Sequence, residues 1–416
     1  MTIRFIHTAD LHLGKTYRGS PGEAERYRDF FDVLATIVAD ALTEKVDFVL
    51  IAGDLFHVGQ ILPRTFARTI ETLQPLKDAG IPCIAVEGNH DWIHRRDSVS
   101  WMEALSQMGY IRLLRPSRTA EGGYRFEPFD AESGSGGRIE IAGLTIYGLG
   151  YIGAQAGNHV ERICQAVDTA NNLLLFHVGI WSYSPVEIGN MKPGDAHRLA
   201  ETFGYVALGH GHKPYVVETP QGRPYAFNPG APERVNFGEE KYHKGYSLVT
   251  AESGEYTAER RPSAPRPMVV MSVELEGAAN ADEALERFIA SVEERLPKED
   301  ERSLLLELKL VGKVAFHPFE LGRERLRLAL EKIATPLHVE IKNQLSLVSS
   351  NAGAEGEKKS LTEIESDVLF DLVSAGSDYQ GREEELVRLS LALRDAVQKE
   401  EVDGDDLLAL LDAEPS

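Results

Sequence analysis

Cysteine is nearly missing: only Cys83 and Cys164 occur in 416 residues. Cys83 sits in the apolar run IPCIAV and Cys164 in a helical pattern. Two isolated thiols build neither a disulfide framework nor a zinc site, so both read as small buried hydrophobes. Long apolar runs are missing too. No stretch approaches the ~20 residues of a membrane span, and no basic-then-apolar leader opens the chain. The expectation is a cytoplasmic protein without membrane contact. Basic residues are scarce, with 44 Lys and Arg against 65 Asp and Glu, a net charge of −21. Residues 351–416 alone carry −12 of it. Such a chain is not a general nucleic-acid coat, because neutralising phosphates takes Lys and Arg. Any contact of that kind must be local, helped by bound metal, or shared with a partner.

A chain this long suggests two or three domains. In its first part short apolar strands alternate with helical patterns. IRFIHT, DFVLIAG and PCIAVEG read as strands; RYRDFFDVLATIVADAL, TFARTIETLQPLKDA and SVSWMEALSQM read as helices. That rhythm predicts layered α/β architecture. From about Arg138 the pattern shifts to a hairpin (RIEIAGLTIYGLG), two buried strands (NLLLFHV, YVALGH) and three more strands, predicting a second, more antiparallel sheet. ERRPSAPRP (259–267) reads as a linker. A β-α-β-α-β segment over 268–346 follows, then a second linker and helical patterns over 361–416. In these patterns Leu386, Leu389 and Leu393 share one stripe. The expected domains are therefore 1–258, 268–346 and 361–416.

Seven candidate metal ligands fall at five strand ends. They are Asp10 and His12 in HTADLHLG, Asp54 in IAGDLFH, Asn89 in EGNHD, His177 after LLLF, and His210 and His212 in LGHGH. Carboxylate, imidazole and amide oxygen suit a divalent ion such as Mn²⁺. Two ions ~3.5–4 Å apart need a bridging carboxylate, and Asp54 is the natural bridge. Asp10, His12 and His212 are assigned to one ion, and Asn89, His177 and His210 to the other. Two ions bring four positive charges and the two aspartates only two negative ones, so the site would attract a phosphodiester despite the acidic chain. His90, next to Asn89, is placed to protonate a leaving oxygen, with Asp91 orienting its ring. His57, three residues past Asp54, is placed to touch the phosphate or the leaving group. Lys15, Arg18, Arg95 and Arg96 are candidate phosphate contacts, each as readily ordinary surface.

In order, these motifs resemble those of the calcineurin-like metallophosphoesterases. HTADLHLG, the position of His57 and NPGAPERVNFGE (228–239) narrow the likeness to the SbcD-type nuclease subunit of double-strand-break repair. Asn228 and Ala231 depart from that family's serine and Ser/Thr. The resemblance covers about residues 1–245 strongly and the following small segment weakly. It implies a two-sheet sandwich flanked by helices, a small α/β capping domain and a helical C-terminal extension. It also implies Mn-dependent exonuclease and endonuclease activity on DNA, a coiled-coil ATPase partner of SbcC type, and a homodimer. Two rivals stay open. One is a metallophosphoesterase for small nucleotides or cyclic phosphodiesters, with the same ligands. The other is a non-catalytic DNA-end scaffold for an ATPase.

Overall fold

The computed structural model describes residues 2–92, 99–186, 188–296 and 303–348, with 365–366, 368–370, 386–391 and 394 beyond them. The first part follows the alternation read from the sequence: β1 (Thr2–Thr8), α1 (Glu23–Glu44), β2 (Phe48–Ala52), α2 (Pro63–Asp78), β3 (Cys83–Val86), α3 (Trp101–Gln107) and β4 (Arg112–Leu113). Local chemistry sets the helix starts. Pro63 opens α2, where its missing N–H costs nothing. Ser100 and Glu103 form a reciprocal capping box on α3. Along α1, Phe30, Leu34, Ile37, Val38 and Ala41 recur at helical spacing and are buried.

The next stretch supplies β5 (Arg138–Ile141), β6 (Leu144–Leu149), α4 (Val160–Gln165), β7 (Asn172–Phe176), α5 (Pro193–Thr202), β8 (Tyr205–Leu208), β9 (Tyr215–Glu218), β10 (Pro224–Asn228), β11 (Gly245–Glu252) and β12 (Glu255–Pro262). The hairpin expected from RIEIAGLTIYGLG is β5–β6, and Ala142 and Gly143 both take positive φ at its turn. Two six-stranded sheets result, ordered β12-β11-β1-β2-β3-β4 and β9-β10-β8-β7-β6-β5.

The second sheet is less antiparallel than the sequence pattern suggests. β6, β7, β8 and β10 run parallel, and only the edge strands β5 and β9 are antiparallel. The short helices α4 and α5 lie in the connections that parallel neighbours require. β11 does not join this sheet but returns to the first, antiparallel to β1. β12 continues to Pro262, so residues 259–262, read as linker, complete a strand.

Strand alternation distributes the apolar residues among three cores. Phe5, Leu50 and Ile84 face Ile146, Leu173, Leu175, Tyr205 and Phe227 between the sheets. Phe5 stacks on Phe48 at 4.7 Å, and Tyr205 on Phe227 at 4.4 Å. Ile6, Val49 and Ile51 instead belong to the core with the apolar faces of α1 and α2. Tyr147, Leu174, Phe176 and Val206 belong to the core with α4 and α5. At roughly 1.5–3 kcal/mol per fully buried large side chain, this packing fixes the strand ends firmly. Cys83 is buried as expected, whereas Cys164 is only half-buried.

The segment expected over 268–346 has the anticipated element order: strand Met268–Glu274, helix Ala281–Arg295, strand Leu305–Val314, helix Arg323–Glu331 and strand His338–Leu347. Its strands form a three-stranded sheet. Two compact units divide the chain. One comprises 1–273, 292–309 and 333–342; the other comprises 274–291, 310–332 and 343–416. Residues 386–391 are helical, while Leu393 and most of 361–416 lie outside the described residues, as do Arg95 and Arg96. No helix among the described residues is long and apolar enough to cross a membrane.

Candidate metal centre

Each candidate ligand follows the C-terminal end of a strand in the middle of a sheet. Asp10 and His12 follow β1, Asp54 follows β2, Asn89 follows β3, His177 follows β7, and His210 and His212 follow β8. Backbone bonds lace the loops together: Asp10 N donates to Gly53 O, His12 N to Asp54 O and His57 N to Leu13 O. The carboxylates join in, since Asp10 Oδ1 accepts from His210 N and Asp54 Oδ1 from His90 N. Asp10, His12, Asp54 and His210 have φ of 53°, 47°, 50° and 73°. These four are among nine non-glycine residues with positive φ in the described chain. Each such position costs about 1–3 kcal/mol and persists only where its surroundings over-determine it.

The side chains form two adjoining groups. In one, His12 Nε2 and His212 Nε2 lie 3.0 Å apart, and Asp10 completes a cluster whose ligand atoms fall within 4.8 Å of one another. In the other, Asn89 Oδ1 lies 3.2 Å from His177 Nε2 and 2.9 Å from His210 Nδ1. Asp54 Oδ2 sits between them, 3.4 Å from His177 Nε2 and 3.9 Å from His12 Nε2. All seven residues singled out from the sequence are thus brought together.

The donor set fits cations. His177 donates its Nδ1–H to Ala52 O at 2.7 Å, His210 its Nε2–H to Ile188 O at 2.6 Å, and His212 its Nδ1–H to Glu239 Oε1 at 2.7 Å. In its neutral form each ring turns its bare nitrogen inward. Three lone-pair atoms converge around Asn89, and two imidazole nitrogens confront each other beside Asp10. Asp10 Oδ2 is buried without a hydrogen-bond partner among the described residues. Facing acceptors repel unless a positive charge sits between them.

The electrostatics show the same crowding. Burial lifts the Asp10 carboxyl to about 6 despite His212 and His177 beside it. Burial opposes the Asp54 charge, yet His177 and His12 hold that carboxyl well below the usual range. Burial would lower His177, but Asp54 and Asp10 outweigh it and raise the ring to about 9. His12 is pushed far down by burial and by His212. His210 falls to about 4 for want of solvent and because of His177.

His90 and His57 flank His12, with ring centroids 4.8 and 5.4 Å from it, and stack on each other at 5.6 Å. His90 Nδ1 is 2.7 Å from His57 O, which fixes that nitrogen as a donor and leaves Nε2 for chemistry. Burial and nearby Lys15 bring His57 to about 4.

The expected Asp91–His90 bond is not formed. The buried Asp91 carboxylate accepts instead from Leu55 N, Phe56 N and Gly88 N, tying the β2 and β3 loops together. Three amide donors satisfy it, so the His57 carbonyl takes over the orienting of His90. Glu233 meets Arg26 at 3.2 Å, and Arg234 Nη1 donates to Arg266 O at 2.9 Å. Trp92 is half-exposed and leans on Tyr151 at 5.4 Å. His7 is wholly buried between Tyr205 Oη and Leu208 O, a structural role. Lys15 is half-buried 5.6 Å over the Tyr17 ring, and Arg18 is exposed.

Sequence reasoning missed Glu239, although it lies in the NPGAPERVNFGE segment. Its two oxygens hold His212 Nδ1 at 2.7 Å and Lys244 Nζ at 2.5 Å. Burial would raise this carboxyl, but His212 and Lys244 bring it to about 2. Three glycines were missed as well. A Cβ at Gly53 would fall 2.2 Å from His177 Nδ1, one at Gly88 2.0 Å from Asp54 Oδ1, and one at Gly209 2.0 Å from Ala52 O. A glycine immediately before Asp54, Asn89 and His210 was the available signal.

A two-sheet α/β sandwich with a histidine–carboxylate cluster at its strand ends defines a metal-binding phosphoesterase class. The calcineurin-like phosphoesterase family matches residues 3–214, and the chain belongs to that family. Among individual proteins, it is 26% identical over 259 residues to the DNA double-strand break repair protein Mre11 of Saccharolobus solfataricus, covering 59% of this chain and 60% of that one. It is 29% identical over 295 residues to Mre11 of Haloferax volcanii, covering 70% and 58%. It is 30% identical over 285 residues to the SbcD subunit of nuclease SbcCD of Bacillus subtilis, covering 61% and 67%. The chain thus spans about six-tenths of the length of the Mre11 relatives it matches.

Proposed function

We propose that this chain is a two-metal-dependent nuclease that hydrolyses DNA phosphodiesters in repair. The observation that carries the reading is Asp54 Oδ2, set between an Asn89–His177–His210 group and an Asp10–His12–His212 group. These two groups would each hold one divalent ion, Mn²⁺ by donor chemistry, and Asp54 would bridge them. Bound ions supply Lewis acidity toward a phosphoryl oxygen and lower the pKa of water. The residues of the chain do the rest. Glu239, Ala52 O and Ile188 O keep the ligand imidazoles in one tautomer. His90, with Nδ1–H on the His57 carbonyl, is free to give a proton from Nε2 to the leaving oxygen. His57 stands beside it, placed to contact the phosphate, and Asp91 holds the loop that carries His90.

DNA is the preferred substrate because the relatives are named as a double-strand break repair protein and a part of a nuclease. By the same likeness the partners are a coiled-coil ATPase of SbcC type and a second copy of the chain. Segment 268–346 is assigned to capping the DNA site, and 361–416 to docking. The test incubates end-labelled single- and double-stranded DNA with the purified chain, in Mn²⁺, Mg²⁺ or chelator, beside Asp54→Ala. Metal-dependent shortening that vanishes in the variant supports the reading. Hydrolysis of a small phosphodiester without DNA cleavage, alone or with the ATPase, moves the assignment to a small-substrate phosphoesterase.

A further inference from the structure

A second basin lies beyond the metal ligands. A cavity of about 530 Å³ opens between the 234–244 stretch and the end of β12, within the first compact unit. Its lining includes Arg234, Lys241, His243, Lys244 and Arg260, with Glu240 as the one carboxylate among the lining residues. That balance is the reverse of the chain's own, which is −21 overall.

The two arginines are held by backbone carbonyls, whereas Lys244 is ion-paired with Glu239 at 2.5 Å. Arg260 Nη1 donates to Pro229 O at 2.8 Å, and its Nη2 donates to His243 O. Arg234 Nη1 donates to Arg266 O at 2.9 Å, while its Nε is buried without a partner among the described residues. Both guanidiniums thus spend these bonds on backbone carbonyls, which orient them. Burial works against the charge in both residues; Glu233, Glu240 and Glu239 act electrostatically on Arg234, and no such carboxylate influence is resolved for Arg260. Lys241 and His243 are exposed at the rim. Two planar guanidiniums lining one cavity with the exposed Lys241 ammonium offer donors suited to a tetrahedral oxyanion.

The basin is joined to the metal cluster by a single side chain. Lys244 lines its wall, and its Nζ reaches Glu239 Oε2 at 2.5 Å and His212 O at 3.4 Å. Glu239 in turn holds the His212 ring.

We propose that this basin binds a phosphate group of the nucleic-acid strand, anchoring it beside the metal centre. The assignment rests on the nuclease reading for the identity of the strand. The basin supplies locally the positive charge that the whole chain lacks. It binds without reading base identity, because cations address the backbone alone.

The test measures binding of a labelled single-stranded oligonucleotide by fluorescence anisotropy in chelator, across a salt series. The variants are Lys241→Gln with His243→Gln, both at the exposed rim, and Arg260→Gln, used only if it melts like the parent chain. The expected result is several-fold weaker binding and a shallower salt dependence, with the log–log slope falling by about 0.7 for each phosphate no longer neutralised. Unchanged affinity and slope in the variants overturn the proposal. Inorganic phosphate forms a second arm. If the variants weaken phosphate binding but not oligonucleotide binding, the site takes a free anion and the strand assignment fails. DNA cleavage in Mn²⁺ is read in parallel. A parent chain that cleaves DNA beside variants that bind normally sinks the basin alone. Weakened variants beside a parent chain that never cleaves sink the nuclease reading alone.

Discussion

The two ligand groups flanking Asp54 are built differently. The Asp10–His12–His212 group has a carboxylate of its own and an acid, Glu239, behind one imidazole. The Asn89–His177–His210 group has a neutral amide and imidazoles backed by the carbonyls of Ala52 and Ile188. An acid behind a histidine raises its basicity more than a carbonyl does. If each group holds one ion and Asp54 is shared, the two ions need not be held equally. The Asp10 group should fill first and empty last.

Removing what the groups share gives the largest effect. Asp54→Ala should abolish phosphodiester hydrolysis, by about 10³-fold or more, and should reduce the metal content measured by elemental analysis at both sites. Two ions retained at full occupancy would show that Asp54 is not the bridge.

Next comes a residue outside both groups. His90→Gln should keep both ions but lower the turnover rate by about 10²–10⁴-fold, the usual contribution of a general acid. Unaltered turnover would remove His90 from the chemistry.

The asymmetry itself is probed by Glu239→Gln. This should weaken only the tighter ion, by about 10–100-fold, bringing the two steps of a calorimetric Mn²⁺ titration closer together. The same variant carries a pH signature. The Glu239 carboxyl is depressed from 4.5 to about 2. A depressed acid contributes stability that is present above pH 4.5 and lost as pH falls toward 2. The contribution is on the order of 3 kcal/mol at neutral pH. Glu239→Gln should therefore lower the melting temperature at pH 7 and flatten its fall in acid. Parallel acid-melting curves for the two proteins would contradict this.

The smallest effect is expected from Asn89→Asp. Giving the weaker group a charge should tighten its ion roughly tenfold, about 1.4 kcal/mol. A titration with unchanged separation between its steps would mean that charge does not set the difference.

The clustering of the seven candidate residues was legible in the sequence because each follows an apolar strand and keeps a recognisable chemical type. The β5–β6 hairpin was readable from RIEIAGLTIYGLG. Partner choices were less accessible. Asp91 has a free choice between one imidazole and three backbone amides, and only the spacing of the β2 and β3 loops decides it. Glu239 reaches His212 across 27 residues, so no local pattern announces it. The strand directions of the second sheet depend on which strands become neighbours, and apolar runs do not carry that information. The return of β11 to pair with β1 across the chain is of the same kind.

The glycines around the ligands bear on how this protein can vary. A Cβ at Gly53 would collide with the His177 ring, and one at Gly88 with the Asp54 carboxylate. In a saturation library scored for cleavage, both positions should accept nothing else, alanine included, although neither contributes an atom to metal or substrate. The mutational footprint of the centre will therefore be wider than its set of functional groups. A survey that reads intolerance as chemistry would assign roles to residues whose whole contribution is the room they leave.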